Sequence, residues 1–584
     1  MQYNISPSAS VSSQVSLSNR NLTTIDFNQI LPIQSMECII GDKHHVSINQ
    51  FTRCSPLVVP TYGNYKLGFV SFFVPYYQVY PDFDTFYSGT DSVGSSSLKL
   101  PSFSLFGLVL GFLDASLSEM GSETSYDFVY YPSATAPVYR RFTANGRYVY
   151  KILQLLGYSF TQAMLQSGTI NSIKLNALPF LCFLKAFNDW MSLSSIYDSS
   201  LITTFLRNVR NGGDITTILS NFLPNLARIV RPLVGSDFFT SAYNSYNQSV
   251  ANNVRNPLSR GFKENLNPIT DHINVDFQLA NDYGVYNELP VDAGNGILSL
   301  RQLKFLQSFQ KFLSRNELAG TRAAQRIFAR FGLKSEDFRS NYAHILGSRV
   351  IDFNVADVTS TSPNSNPSLG LGTYSGQSVS SGDFSFDVEC SDFGHLFTFA
   401  YLDVNSQYLN SISPEVLRSS PLDFYQPDFD GVGFQPICYA QLYNNPKSIA
   451  SDPTTSKLNS LNPLKSVFGF QPRYEEYRTS YSRVTGDFVL LDSMDSWHFG
   501  RKLDSTQDSA TFGNLVPQSY AFQFSDEWRR IFTSEVVPDG FDHFFSAFNI
   551  DVKSTRRIKS RAGSLDLPDG QISVSSLGRT VQQN

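Results

Sequence analysis

Two stretches of this chain, residues 23–75 and 350–500, carry the period-two pattern of β-strands, and a long segment of different character separates them. A sheet drawing on both must be completed across that insertion, which points to one antiparallel sandwich rather than two independent β domains. In the first stretch Val46 and Ile48 alternate with polar residues, Leu67, Phe69 and Ser71 keep the same period, and Gly41-Asp42 and Gly63-Asn64 mark turns. The apolar stretch Phe69 to Val74 ends at Pro75, as expected of a strand covered on both faces. In the second stretch Ser360–Ser381 reads as a Ser/Gly/Asn/Pro-rich loop. Phe384, Phe386 and Val388 then alternate, and Leu396–Val404 forms a two-sided apolar strand.

The separating segment is helical and loop-rich. Pro179 stands in a first-turn position, where its missing N–H costs nothing, and Phe180, Phe183, Leu184, Phe187, Trp190 and Met191 recur at helical spacing. Two further helices are expected at Leu300–Glu317 and from the N-cap Thr321 to Gly332. In the second, Arg322, Arg326 and Arg330 form a basic ridge, either a solvated face or a DNA contact. Residues 200–295 are rich in Asn, Ser and Tyr and read as a long surface insertion.

Charged residues make up only 16% of the 584 residues, against about 25% in an ordinary globular protein. Phe (49) and Tyr (30) are abundant. That balance suits a chain that buries surface between subunits, and also a β-rich protein using aromatics in its strands. The net charge of −5 gives no global attraction to nucleic acid, so any such contact needs a local patch. One exists: Lys553, Arg556, Arg557, Lys559 and Arg561 crowd into a C-terminal tail, as a solvated run or a phosphate contact. Just upstream, Phe541, Phe544, Phe545 and Phe548 recur at helical spacing, which favours core over base stacking.

Five well-separated cysteines, never in a C-x-x-C spacing, argue against a disulfide scaffold or zinc ribbon and suit a reducing cytoplasm. The N-terminus lacks the regions of a signal peptide, and the longest apolar run, Leu105–Leu113, is too short to span a bilayer, so a soluble chain is expected. No phosphate-binding loop, His-Glu-x-x-His or Gly-x-Ser-x-Gly is present, and His44 and His45, adjacent on a strand, point to opposite faces. Asp428 and Asp430 resemble only a fragment of a calcium loop. Nothing asks for an enzyme, a cofactor or a metal. A carbohydrate-binding or carbohydrate-cleaving β-sandwich is the alternative from another class, because paired carboxylates can lie far apart in sequence.

The stretch Phe470–Gly500 interleaves tyrosines with arginines and carboxylates, then gives Ser482-Arg483-Val484-Thr485-Gly486 and Trp497-His498. By itself it reads as irregular structure. Together with Phe72-Phe73-Val74-Pro75, with Asn176-Ala177-Leu178-Pro179-Phe180 leading to Trp190, and with Gly320-Thr321-Arg322, it resembles the major capsid proteins of the Microviridae, especially their gokushovirus-like members. Ile40 stands where that family has proline before Gly41-Asp42, and Arg330 where it has histidine.

The resemblance implies an eight-stranded antiparallel jelly roll with long helical and loop insertions. It implies self-assembly into a T=1 icosahedral shell in the virion, enclosing circular single-stranded DNA and built in the bacterial host cytoplasm. Scaffold, DNA-binding and pilot proteins would be partners, and a host receptor would meet residues 200–295. The expected organisation is a flexible arm at 1–20, first strands at 21–110, insertions and helices at 111–345, remaining strands at 346–500, and a C-terminal arm with the basic tail at 501–584.

Overall fold

The computed structural model describes residues 13–88, 98–104, 128–133, 136–140, 144–159, 173–192, 199–243, 342–359, 374–409, 411–419, 421–430, 434–442, 467–501, 528–533 and 542–556. Its first strands, β1 (Ser13–Ser16) and β2 (Asn19–Ile25), are followed by β3 (Ile30–Cys38) and β4 (Lys43–Cys54). Gly41, at φ 81, makes the turn between the last two, a backbone conformation that a side chain would strain. β5 (Tyr65–Pro75) completes the N-terminal set. After the insertion come β6 (His344–Asp352), β7 (Asn354–Thr359), β8 (Tyr374–Glu389) and β9 (Gly394–Val404). Short strands follow at β10 (Gln407–Leu409), β11 (Phe434–Cys438), β12 (Val467–Pro472), β13 (Ser482–Val484) and β14 (Gly500–Arg501), and β15 (Phe544–Arg556) is the last described element.

Two antiparallel sheets result. In the first, β1 and β2 lie end to end along β15, and the order continues β4, β8, β7; in the second the order is β6, β5, β9, β3. The sheets face one another through aromatic rings: Phe69 of β5 stacks on Phe384 of β8 at 6.0 Å and meets Phe548 of β15 edge-on at 6.1 Å. β4 shows the expected alternation, with His44, Val46, Ile48, Gln50, Thr52 and Cys54 buried and their odd-numbered neighbours turned outward or half-covered.

A third layer explains why β5 and β9 do not alternate. Helix α1 (Ala144–Leu155) anchors through Tyr148, whose hydroxyl donates to the carbonyl of Val230 at 2.7 Å and accepts from the Ile30 amide. Helix α2 (Leu178–Ala186) lies on the outer face of the second sheet, and Phe72, Phe399 and Phe183 form a continuous stack from strand to strand to helix, with centroids 5.1 and 5.2 Å apart. Helices α3 (Ser199–Asn208) and α4 (Thr216–Ile229) extend the layer, joined by the stacked pair Phe205–Phe222 at 4.3 Å. The strands of the second sheet are therefore buried on both faces.

The structure departs from the sequence reading at four places. Residues 13–20, expected in a flexible arm, are paired: β1 and the start of β2 bond to β15, and backbone pairing at an edge needs no apolar alternation. Ser375–Ser381, expected in a loop, belong to β8; Ser378 and Ser380 are buried, and Ser380 accepts from Gln50 Nε2 at 2.8 Å. The region 200–243 is not a surface insertion but two packed helices and the buried Phe238 and Phe239. Phe544–Arg556 is a central strand rather than a helix opening a tail, so Phe544 and Phe548 face the core while Phe545 is exposed. The sandwich is thus finished beyond residue 500. The helices expected at 300–332, and residues 244–295, lie outside the described residues.

Candidate functional site

Among the described residues, the signature side chains do not converge on a cleft but secure junctions. Phe72, Phe73 and Val74 are fully buried, and Pro75, at the end of β5, leads into the turn Tyr76–Gln78. Opposite them Gly394 opens β9 where a Cβ would sit 2.5 Å from the Val74 carbonyl oxygen and 2.8 Å from the Phe73 ring, so only glycine fits. Asn176 starts α2: its Oδ1 accepts the Leu178 amide at 3.0 Å, while its own carbonyl accepts the Tyr158 hydroxyl at 2.6 Å. Pro179 occupies the first turn and Phe180 is buried against Phe205. Trp190, in the π-helical turn Phe187–Met191, donates to the Ala343 carbonyl at 2.6 Å.

The segment Phe470–Gly500 is irregular, as its composition suggests, and folds around a small parallel sheet in which β10 lies between β13 and β14. Gly486 adopts φ 71 ahead of the helical turn Asp487–Leu490, a conformation that disfavours any side chain. Arg483 donates to Ser413 Oγ at 3.2 Å and lies over the Tyr481 ring. Trp497 stacks on Tyr62 at 5.8 Å. His498 is buried; its Nδ1 accepts the Gly500 amide at 2.9 Å, which leaves Nε2 to donate to the Phe488 carbonyl at 3.0 Å. Both imidazole nitrogens are occupied by backbone, so the ring is a brace rather than a base.

The same segment presents an exposed aromatic and arginine patch. Tyr425 meets Tyr474 and Tyr477 at 5.1 and 5.8 Å, Arg418 lies over the Tyr477 ring at 4.7 Å, and Arg478 pairs with Asp430 at 2.5 Å. Phe424, Tyr425 and Tyr477 remain exposed in the single chain.

Sequence reasoning missed three charge centres, one half-buried and two fully buried. Arg530 donates to the carbonyls of Asp495, His498 and Gly500 at 2.8–2.9 Å, gathering the turn that ends the signature segment. Asp26, fully buried, accepts from Arg529 at 3.0 Å and faces His543 at 3.1 Å. Asp42, also fully buried, accepts the Ile39 amide, pairs with Arg556 at 3.0 Å and lies 3.4 Å from His44 Nε2. Asp26 and Asp42 meet partners hundreds of positions away and Arg530 reaches back 30–35 positions, so no local spacing signals them; the turn Gly41-Asp42 was the only hint.

Of the basic residues expected at a nucleic-acid contact, Lys553 is exposed on the outer face of the first sheet. Arg556 is turned toward protein: besides Asp42 it donates to the Glu37 carbonyl at 2.7 Å. Arg557, Lys559 and Arg561 lie outside the described residues. Beside Arg556 the fold assembles a cluster that sequence spacing could not show: Cys38, His44 and Cys390, all buried, with their candidate donor atoms within 4.8 Å of one another. Hydrogen bonds from Cys38 and His44 hold Cys390 down to about 6 against the effect of burial, while the shared bond and burial push Cys38 up.

The described structure is a two-sheet antiparallel sandwich with a helical third layer, whose signature side chains are packed, capped or hydrogen-bonded to backbone. The chain belongs to the phage capsid protein (F protein) family, whose model matches residues 4–103 and 158–512. It is similar to capsid protein VP1 of Bdellovibrio phage phiMH2K, with 23% identity over 534 residues, 85% of this chain and 87% of the relative. It also resembles capsid protein VP1 of Chlamydia phage 1, 27% identical over 234 residues that cover 38% of this chain and 36% of the relative. These findings bear out the resemblance drawn from the motifs: the protein is a capsid component of the virion, not an enzyme. The family match ends before β15, although that strand lies between β4 and the N-terminal strands.

Proposed function

We propose that this chain is the major capsid protein of a T=1 icosahedral shell of sixty copies, the order of the icosahedral rotation group, and that the shell encloses circular single-stranded DNA. The observation that carries the reading is the strand order. Taking β1 with β2 as one interrupted strand and β7 as the outward continuation of β6, eight strands follow one another along the chain. The first, eighth, third and sixth form one sheet, and the second, seventh, fourth and fifth form the other. That arrangement supports a jelly roll, the double-sheet form common in viral shells.

Self-assembly is further supported by the exposed aromatic side chains Phe424, Tyr425 and Tyr477, since interface cores are enriched in aromatic residues. Lys553, Arg557, Lys559 and Arg561 are the candidate phosphate contacts. Residues 244–295 remain the candidate host-receptor surface, and scaffold, internal DNA-binding and pilot proteins the candidate assembly partners, acting in the host cytoplasm. Electron microscopy of protein from phage-producing cells tests the reading: closed shells with nuclease-protected single-stranded DNA are expected, and a chain that stays monomeric throughout would sink it.

A further inference from the structure

We propose that Cys38, Cys390 and Nε2 of His44 bind a divalent transition-metal ion of the zinc class at one end of the sandwich, where it joins the two sheets. Cys38 closes β3 in the second sheet, His44 lies in β4 of the first, and Cys390 directly follows β8 of the first. An ion held by all three would therefore fasten the sheets where the Gly41-Asp42 turn joins them.

Geometry, polar bookkeeping and charge support the site independently. The three candidate donor atoms lie within 4.8 Å of one another. Tetrahedral zinc, with Zn–S about 2.3 Å and Zn–N about 2.0–2.1 Å, sets its donors roughly 3.4–3.8 Å apart, so closure asks for shifts of about an ångström or less. His44 is 2% exposed, and its Nδ1 is already engaged by Ser554 Oγ at 2.7 Å, the type of outer partner that orients metal-bound imidazoles. Its Nε2 is buried on the side of Cys390 and 3.4 Å from Asp42 Oδ2, and Oδ1 of Asp42, which is 0% exposed, is buried without a hydrogen-bond partner. A buried imidazole nitrogen and two buried thiols form the donor set of a cation site, with an unsatisfied carboxylate oxygen beside it.

On binding, both thiol protons pass to solvent, and two thiolates with a neutral imidazole balance the charge of the ion. Asp42 needs no further counter-charge, because Arg556 pairs with it at 3.0 Å. A water would take the fourth position.

The test uses the full-length protein, reduced and stripped with a chelator, then titrated with Co²⁺ and back-titrated with Zn²⁺. The expected result is a thiolate-to-cobalt charge-transfer band that saturates near one equivalent and is abolished by Zn²⁺, with a higher thermal midpoint for the zinc-loaded chain. Cys38→Ser, Cys390→Ser and His44→Gln should lose the band, Cys438→Ser should keep it, and Ser554→Ala should weaken binding about 10-fold. The wild-type titration stands whether or not every variant folds. Absence of the band in the wild-type protein, its persistence in Cys390→Ser, or recovery of a Cys38–Cys390 disulfide from anaerobically purified protein would each overturn the proposal.

Discussion

Trp190 donates its indole N–H to the carbonyl oxygen of Ala343 at 2.6 Å, and its neighbour Asp189 accepts the amide of the same residue at 2.9 Å. Two consecutive side chains at the end of the α2 region thus satisfy both backbone groups of the residue that precedes β6, across 153 positions of sequence. Lys185 completes the site at 2.9 Å from Asp189. This junction fixes where the chain re-enters the second sheet after its longest excursion.

Trp190→Phe keeps the ring bulk and removes the donor, leaving the buried Ala343 carbonyl unpaired. A loss of about 1–3 kcal/mol is expected in urea unfolding. Asp189→Ala should cost more, about 3–5 kcal/mol, because it also removes the carboxylate paired with the largely buried Lys185. Equal, negligible effects of both would show that the junction does not hold the strand.

Much of this architecture is legible in the sequence, and what is not has a physical cause. Val46, Ile48, Phe384, Phe386 and Val388 face the core in strict alternation, and β5 and β9 announce their double burial by mostly apolar sequences without alternation. The edge pairing of Ser13–Ser16 and the buried serines of β8 leave no such trace, because their stability comes from backbone bonds and from partners such as Gln50. Phe544, Phe545 and Phe548 fit helical and strand periods alike until β4 and β2 pair with them. The buried charges are less legible still: Asp26 with Arg529 and Asp42 with Arg556 meet only because β15 and its lead-in return to the N-terminal strands.

Gly394 and Gly347 offer a matched pair of glycine tests. A Cβ at Gly394 would lie 2.5 Å from the backbone oxygen of Val74, whereas at Gly347 its nearest neighbour is a Phe384 ring carbon at 3.5 Å, ordinary contact. Gly394→Ala is therefore expected to destabilise by about 1–3 kcal/mol or more, since two paired backbones must separate. Gly347→Ala should stay within about 0.5 kcal/mol. Chemical denaturation of the two variants side by side measures the difference.

His395 should make stability fall on acidification. Buried beside Ser35, the Tyr76 hydroxyl and the Phe397 ring, and paired across the strands with Glu37, which also accepts from Tyr76, its imidazole is pushed down by burial to about 3. The unfolded chain, with an ordinary histidine value near 6.5, then binds the extra proton throughout the interval between these values. Its contribution is fully present above about pH 6.5 and is lost progressively down to about pH 3, by roughly 4–5 kcal/mol at most. His395→Gln should flatten the acid limb of a stability–pH profile relative to the wild-type chain; superimposable limbs would refute the assignment.

The basic residues near the C-terminus should divide into two groups with opposite phenotypes. Arg556 is the partner of a fully buried carboxylate, and Arg556→Ala leaves Asp42 uncompensated, so a loss of about 3–5 kcal/mol and poor soluble yield are expected whether or not DNA is present. Lys553 is exposed, and the combined alanine variant of Lys553, Arg557, Lys559 and Arg561 is expected to assemble with unchanged thermal stability. If those four side chains meet phosphates, each contributes roughly 0.7 to the slope of log affinity against log salt, and the combined variant should flatten it by roughly 3. Shells of the combined variant that keep their DNA with the wild-type salt dependence would remove these residues from the nucleic-acid contact, while the Arg556→Ala result would still report on the sandwich alone.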